Sequence, residues 1–291
     1  MALDQSIVLD DGRCIGYAED GDLHGQPLLF FHGQPGNRLF RHPSSGLAES
    51  AGVRLIAVER PGYGLSTYKP GRRLVDWPQD ILALADHLGF ERFAILGYSA
   101  GGPYAAVCAR YIPQRLSRVG LVSSPAPFEQ MLRLKDGRPN PLLRLNGFLF
   151  RQLPALVQPL FALYWRRSRH NPEAFIRLAA RQFCPADRAV LSDPEVAAML
   201  LETWKENVRI DCQGYVDDAR LLVSDWGFSC REIAMPVVLW QGDADQNVAP
   251  AAAHALARQI PRCTTIIYPG EGHLALLTHW REILTYLVGA G

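Results

Sequence analysis

The 291-residue sequence carries no excess charge of either sign: Lys and Arg total 30, Asp and Glu 29, for a formal net charge of +1. No overall field therefore draws the chain to nucleic acid, an anionic membrane or an acidic substrate, and a small molecule is the partner this balance leaves. Close cysteine pairs are missing as well. Cys14, Cys108, Cys184, Cys212, Cys230 and Cys263 are scattered, with no CxxC and no Cys/His ligand spacing, so they read as reduced thiols rather than as disulfides or metal ligands. The start, MALDQSIVLDDGR, lacks the basic patch and apolar run of a secretory signal, which predicts a cytoplasmic protein. No apolar stretch approaches the roughly 20 residues that span a bilayer. The run Ile233 to Trp240 is short and contains Pro236, so membrane insertion is not expected. Internal repeats and low-complexity segments are lacking too.

What is present is globular. Hydrophobic residues make up 48% and charged residues 20%, ample for a large core. Short runs rich in Val, Ile, Leu and Phe recur at Ser6–Leu9, Cys14–Ala18, Pro27–Phe31, Arg54–Val58, Phe93–Leu96, Val119–Ser123, Pro236–Trp240 and Thr264–Tyr268. Each is ended by Gly, Pro or Asp, the pattern of buried strands in a mostly parallel sheet. Helical spacing appears between several of them, at Trp77–Leu88, Gly101–Tyr111, Ala251–Ile260 and Leu274–Leu287. Asp76 suits the start of the first of these helices and Gly89 its end. Strand and helix alternate, which predicts an α/β fold with a sheet covered on both faces.

The alternation stops between about Ala126 and Cys230. There Leu, Ala, Arg and aromatics recur at helical intervals, punctuated by Pro141, Pro154, Pro172, Pro185 and Pro194. This stretch reads as a helical insertion. Its basic patch, Tyr164 to His170, reads as a solvated helix face ahead of an anion site. Phe128, Phe161, Trp165, Trp204, Trp226 and Phe228 either line an apolar pocket or form the insertion's own core.

The strongest chemical signal is GYSAG, Gly97 to Gly101, directly after the strand RFAIL and directly before a helix. A serine at a tight strand-to-helix turn is forced into strained backbone angles that push its hydroxyl out of the sheet edge. Gly97 and Gly101 supply clearance, and the helix start aims unpaired N–H groups at the serine. Ser99 is the candidate nucleophile. A serine hydroxyl needs a base, and the base an acid. His273 lies in the loop after the last strand, whereas His24, His42, His87, His170, His254 and His279 fall in loops or helices and read as surface or packing residues. The strand PVVLW ends in GDAD, where Asp243 and Asp245 both qualify as the acid. After the strand PLLFF, HGQPG (His32 to Gly36) turns sharply. Its Gln34 N–H, with the N–H of Ala100, is the candidate oxyanion hole; His32 takes a structural or oxyanion-loop role.

HGQPG, ERPGYGLS (Glu59 to Ser66), GYSAG, GDAD and GEGH (Gly270 to His273) resemble the α/β-hydrolase fold family in order and spacing, across nearly the whole core. The resemblance implies an eight-stranded, mostly parallel sheet flanked by helices. It implies a hydrolase core over 1–125 and 231–291 and a helical cap over 126–230. The family turn G-x-x-D makes Asp245 the triad acid and leaves Asp243 in the turn. A placement of the acid after the sixth strand is excluded, since SSPAP holds no carboxylate. A serine at the elbow argues against haloalkane or epoxide chemistry, where the family commonly uses aspartate. HGQPG also resembles the HGGPG loop of proline iminopeptidases, but its Gln34 counts against aminopeptidase activity. The expected enzyme is a serine esterase or lactonase, working through an acyl-enzyme without metal or organic cofactor. A lyase, carbon-carbon hydrolase or cofactor-free cyclisation catalyst could use the same triad, and a non-catalytic small-molecule receptor the same pocket.

Overall fold

The computed structural model describes residues 2–44, 46–132 and 141–289. All eight apolar runs form strands: β1 (Ala2–Val8), β2 (Cys14–Gly21), β3 (Gln26–Phe31), β4 (Val53–Val58), β5 (Phe93–Tyr98), β6 (Leu116–Val122), β7 (Val237–Gly242) and β8 (Cys263–Tyr268). They make one sheet in the order β1-β2-β4-β3-β5-β6-β7-β8. Only the β1/β2 and β2/β4 pairings are antiparallel; β4, β3, β5, β6, β7 and β8 run parallel.

The helices are α1 (Gly46–Ser50), α2 (Trp77–His87), α3 (Gly102–Tyr111), α4 (Phe128–Met131), α5 (Pro141–Gln152), α6 (Pro154–His170), α7 (Pro172–Ala180), α8 (Pro185–Leu191), α9 (Pro194–Arg209), α10 (Gln213–Val223), α11 (Pro250–Ala257), α12 (Ala275–Thr278) and α13 (Trp280–Val288). From α4 to α10 the described residues contain no strand. Prolines open most of these helices, as expected where the first N–H has no intrahelical partner. Among the described residues no helix is long and apolar enough to cross a membrane. All six cysteines are unbridged.

The central strands are hydrophobic without alternation because both of their faces are covered. Leu29, Phe31 and Ile95 pack with Ile81 and Leu84 of α2 and Ala105 of α3. Their neighbours in sequence, Leu28, Phe30, Ala94 and Leu96, face the opposite way and meet Ala48 of α1 and Ile283 and Leu284 of α13. With β3 and β5 to β8 parallel, every turn that carries a candidate residue emerges at one edge of the sheet.

Two local expectations need correction. Helix α2 does start after Asp76, which holds its N-cap position, but the side chain does not cap it: Asp76 closes the preceding 3-10 turn, and its carboxylate accepts from the backbone N–H and guanidinium of Arg73. The expected final helix over 274–287 is two helices broken at His279, whose backbone leaves helical angles while its ring stacks flat on Tyr268, centroids 3.7 Å apart. Gly89 ends α2 as expected, with φ at +73°.

Candidate active site

Ser99 has φ of +51°, a left-handed conformation that costs free energy for any residue with a Cβ. Two glycines make the turn sterically feasible. A Cβ on Gly97 would lie 2.6 Å from the Gly101 carbonyl oxygen, and one on Gly101 would lie 2.1 Å from the Phe31 carbonyl oxygen. Helix α3 can therefore approach β3 and β5 closely only with glycine at both positions.

His273 Nε2 lies 3.1 Å from Ser99 Oγ, and its Nδ1 lies 2.8 Å from Asp245 Oδ2. Burial works to raise the Asp245 carboxyl, but the neighbouring His273 and the N–H groups of Val248 and Asn247 outweigh it and hold it below the ordinary carboxylate value. The ionised carboxylate can only accept, so Nδ1 carries the imidazole proton and Nε2 is left to accept from the Ser99 hydroxyl. Gln241 Nε2 adds a further hydrogen bond to Asp245 Oδ2 at 3.0 Å. Asp243 points elsewhere: its Oδ1 accepts from the Gly270 N–H at 2.6 Å, tying the turn after β7 to the end of β8.

The HGQPG loop is held from behind. Arg60, fully buried, donates from Nη1 to the His32 carbonyl at 2.6 Å and from Nη2 to the Gly33 carbonyl at 3.2 Å. Since N–H and C=O point opposite ways across a trans peptide, fixing the Gly33 carbonyl toward Arg60 turns the Gln34 N–H away from it. The Gln34 side chain donates to the Tyr215 carbonyl of α10 at 2.7 Å. Ala100 stands in the first turn after β5, where an N–H has no carbonyl one turn back to bond. His32 is buried. Its Nδ1–H donates to the Gly33 carbonyl at 2.8 Å, and burial pushes its pKa well below the usual value, so the ring is neutral.

Arg60 is itself anchored by Asp218 of α10. The Asp218 carboxylate accepts from Arg60 at 2.6 Å, Arg72 at 2.7 Å, Tyr63 at 2.9 Å and Tyr104 at 2.6 Å. Burial opposes its ionisation, but the two guanidiniums prevail and hold the carboxyl far below its ordinary value. A second carboxylate from the helical segment, Asp187 of α8, accepts from the backbone N–H groups of His273 and Leu274. Neither aspartate nor the role of Arg60 was singled out from the sequence. Only the ERPGYGLS motif pointed near one of them.

A cavity of about 160 Å³ opens at Ser99 and His273. Gly33 and Gln34 line it from the sheet side, and Phe175, Leu200 and Trp204 from helices between β6 and β7, with Phe183 from the turn between α7 and α8. Of the six aromatics named from sequence, only Trp204 lines it. Trp165 and Phe161 pack within the helical segment, and Trp226 and Phe228 join the sheet core. Arg166 and Arg167 of the basic patch are exposed, as expected of a solvated face.

A family model described as alpha/beta hydrolase fold matches residues 26–279. The chain is 25% identical to an uncharacterised hydrolase of Bacillus subtilis over 271 residues, covering 92% of this chain and 90% of that one. An esterase from Exiguobacterium antarcticum superposes with a TM-score of 0.71 at 20% identity, covering 99% of this chain and 98% of its own. An enol-lactonase from Burkholderia xenovorans does so with a TM-score of 0.68 at 19% identity, covering 98% of each chain.

Proposed function

Because the chain belongs to the α/β-hydrolase fold family, we propose that it is a serine hydrolase that cleaves a carboxylic ester or lactone of a small, largely apolar molecule through an acyl-enzyme intermediate. The observation that carries this reading is the chain of contacts Ser99 Oγ to His273 Nε2 at 3.1 Å and His273 Nδ1 to Asp245 Oδ2 at 2.8 Å. Ester and lactone substrates accord with the names of the esterase and the enol-lactonase that share the fold. The apolar cavity accords with an uncharged substrate.

In the proposed cycle His273 Nε2 takes the Ser99 proton as Oγ attacks the carbonyl carbon. Asp245 keeps the imidazole in the required tautomer and stabilises the imidazolium. The N–H groups of Gln34 and Ala100 bond the developing oxyanion, each worth roughly 3 kcal/mol of transition-state stabilisation. The imidazolium then protonates the leaving alcohol. Water, deprotonated by His273, attacks the acyl carbon and releases acid and free Ser99. The helical segment 126–230 serves as the cap that walls the cavity.

The test is Ser99→Ala against p-nitrophenyl and lactone substrates, with fluorophosphonate labelling of the unaltered protein. A loss of at least about 10³-fold in kcat is expected, with covalent labelling at Ser99. Full hydrolysis by the variant, or no labelling of folded protein, overturns the reading.

A further inference from the structure

The chain total of +1 conceals a local excess. From residue 141 to 181 the sequence holds seven Arg, no Lys and a single acid, Glu173, a net charge of +6. Arg144, Arg151 and Arg169 are engaged: they donate to the Leu132 carbonyl, the Glu129 carboxylate and the Val208 carbonyl. Arg166, Arg167, Arg177 and Arg181 are exposed and make no hydrogen bond or ion pair with a described residue. Exposed apolar side chains gather in the same segment. Of twelve large hydrophobic residues exposed among the described ones, eight lie between Leu145 and Leu178. Leu156, Leu160 and Leu163 of α6 are 61%, 67% and 51% exposed, and their i, i+4, i+7 spacing puts them on one face, in register with Arg167. Val157, Trp165 and Ser168 turn to the other side and are buried. Helix α7 is divided in the same sense: Phe175, Ile176 and Ala179 line the cavity, whereas Arg177 and Leu178 are exposed.

Apolar residues scattered singly on a surface need no explanation, but a contiguous stripe marks a contact surface. The charge beside it selects the partner. A second copy would bring one arginine-rich patch against another, because a two-fold contact uses the same surface on both chains. A bilayer with anionic headgroups meets both demands at once: its acyl region takes the leucines, and its phosphates take the guanidiniums, whose long stems reach away from the apolar face. We propose that α6, with the arginines around it, docks the helical segment on an anionic lipid surface, lying in the plane of the interface rather than crossing it. Since α7 walls the cavity, docking brings the cavity to the surface into which an apolar molecule partitions. The docking itself does not depend on the chemistry at Ser99.

The experiment is sedimentation of the full chain with vesicles of phosphatidylcholine alone or of equal parts phosphatidylcholine and phosphatidylglycerol. Affinity for the anionic vesicles is expected to exceed that for the neutral ones by tenfold or more, and to fall as NaCl is raised and the charges are screened. Leu160→Gln with Leu163→Gln, and separately Arg166→Gln with Arg167→Gln, should each weaken anionic-vesicle binding by tenfold or more while circular dichroism stays unchanged. No binding by the unaltered protein, equal binding to both vesicles, or binding that survives both pairs of substitutions overturns the proposal. So does a dimer, read by light scattering without vesicles, that the leucine pair dissociates, since a second copy then covers the stripe. The lipid and salt comparisons use the unaltered protein, so a variant that fails to fold leaves them decisive.

Discussion

Asp187 grips the loop of His273: its Oδ2 accepts the His273 backbone N–H at 3.0 Å and its Oδ1 the Leu274 N–H at 2.7 Å. Cys184, at the start of the same helix, adds its thiol to Oδ2 at 3.4 Å. The imidazole that touches Ser99 is thus positioned by a side chain from the segment between β6 and β7 as well as by the sheet.

Asp187→Asn keeps the shape and removes one of the two acceptors, turning an NH2 toward a backbone N–H. Displacement of His273 by a fraction of an ångström is expected to lower kcat by up to about 10²-fold while KM changes less. The unfolding free energy should fall by about 1.5–3 kcal/mol, the range for hydrogen bonds to a charged group. Steady-state kinetics and urea unfolding of the same preparation check both.

Asp218 compensates two buried guanidiniums, so removing its charge is expected to cost far more than a surface ion pair would. For Asp218→Leu the loss is about 3–5 kcal/mol, because Arg60 and Arg72 are left uncompensated in the interior. Arg60→Met releases the Gly33 carbonyl without leaving Arg72 unpaired. Its expected signature is a lower kcat from a mobile Gln34 peptide. Denaturant melts separate the first effect from the second.

Asp245→Asn offers Nδ1 an amide instead of a carboxylate and permits the tautomer with the proton on Nε2. A fall in kcat of roughly 10⁴-fold is expected, the size known for the equivalent change in a serine protease, with overall fold unchanged by circular dichroism. A variant that stays within tenfold of the unaltered protein would show that the acid does not set the tautomer.

His32 supplies the pH dependence of stability. Burial, with Arg60 nearby, holds its pKa well below the ordinary value, whereas in the unfolded chain the ring takes a proton near pH 6.5. Below about that pH the unfolded state binds a proton the folded state does not, so stability falls as pH falls, by about 1.4 kcal/mol per pH unit. Half-buried His42, also lowered by burial, adds a smaller contribution of the same sign. Asp245, whose pKa is depressed, loses its contribution only as pH drops below the ordinary carboxylate value near 4. Urea midpoints between pH 5 and 8 should show this slope, and His32→Gln should flatten most of it.

The central strands, β3 to β7, were legible because both of their faces are covered, so apolar residues run on without alternation. The elbow was legible for a related reason: Ser99, Gly97 and Gly101 are neighbours in sequence whose constraints are local. The choice between Asp243 and Asp245 was legible only through the family turn G-x-x-D, since both sit in one turn and the residues themselves leave either open. Asp187 and Asp218 were invisible. Their partners lie 86 and 158 residues away, and nothing in their immediate surroundings distinguishes them from other helical polar residues. The break at His279 depends on a ring stack with Tyr268 that helical periodicity does not register.

The sheet order also constrains synthesis. β6 and β7 are hydrogen-bonded neighbours, yet residues 123–236 separate them in the chain. On a ribosome, β6 emerges long before its partner and exposes an unpaired edge, a template for association with other nascent chains. Asp245 and His273 follow later still. Translation products that stop short of β7 carry Ser99 without the two residues it meets in the folded chain, and are prone to stick.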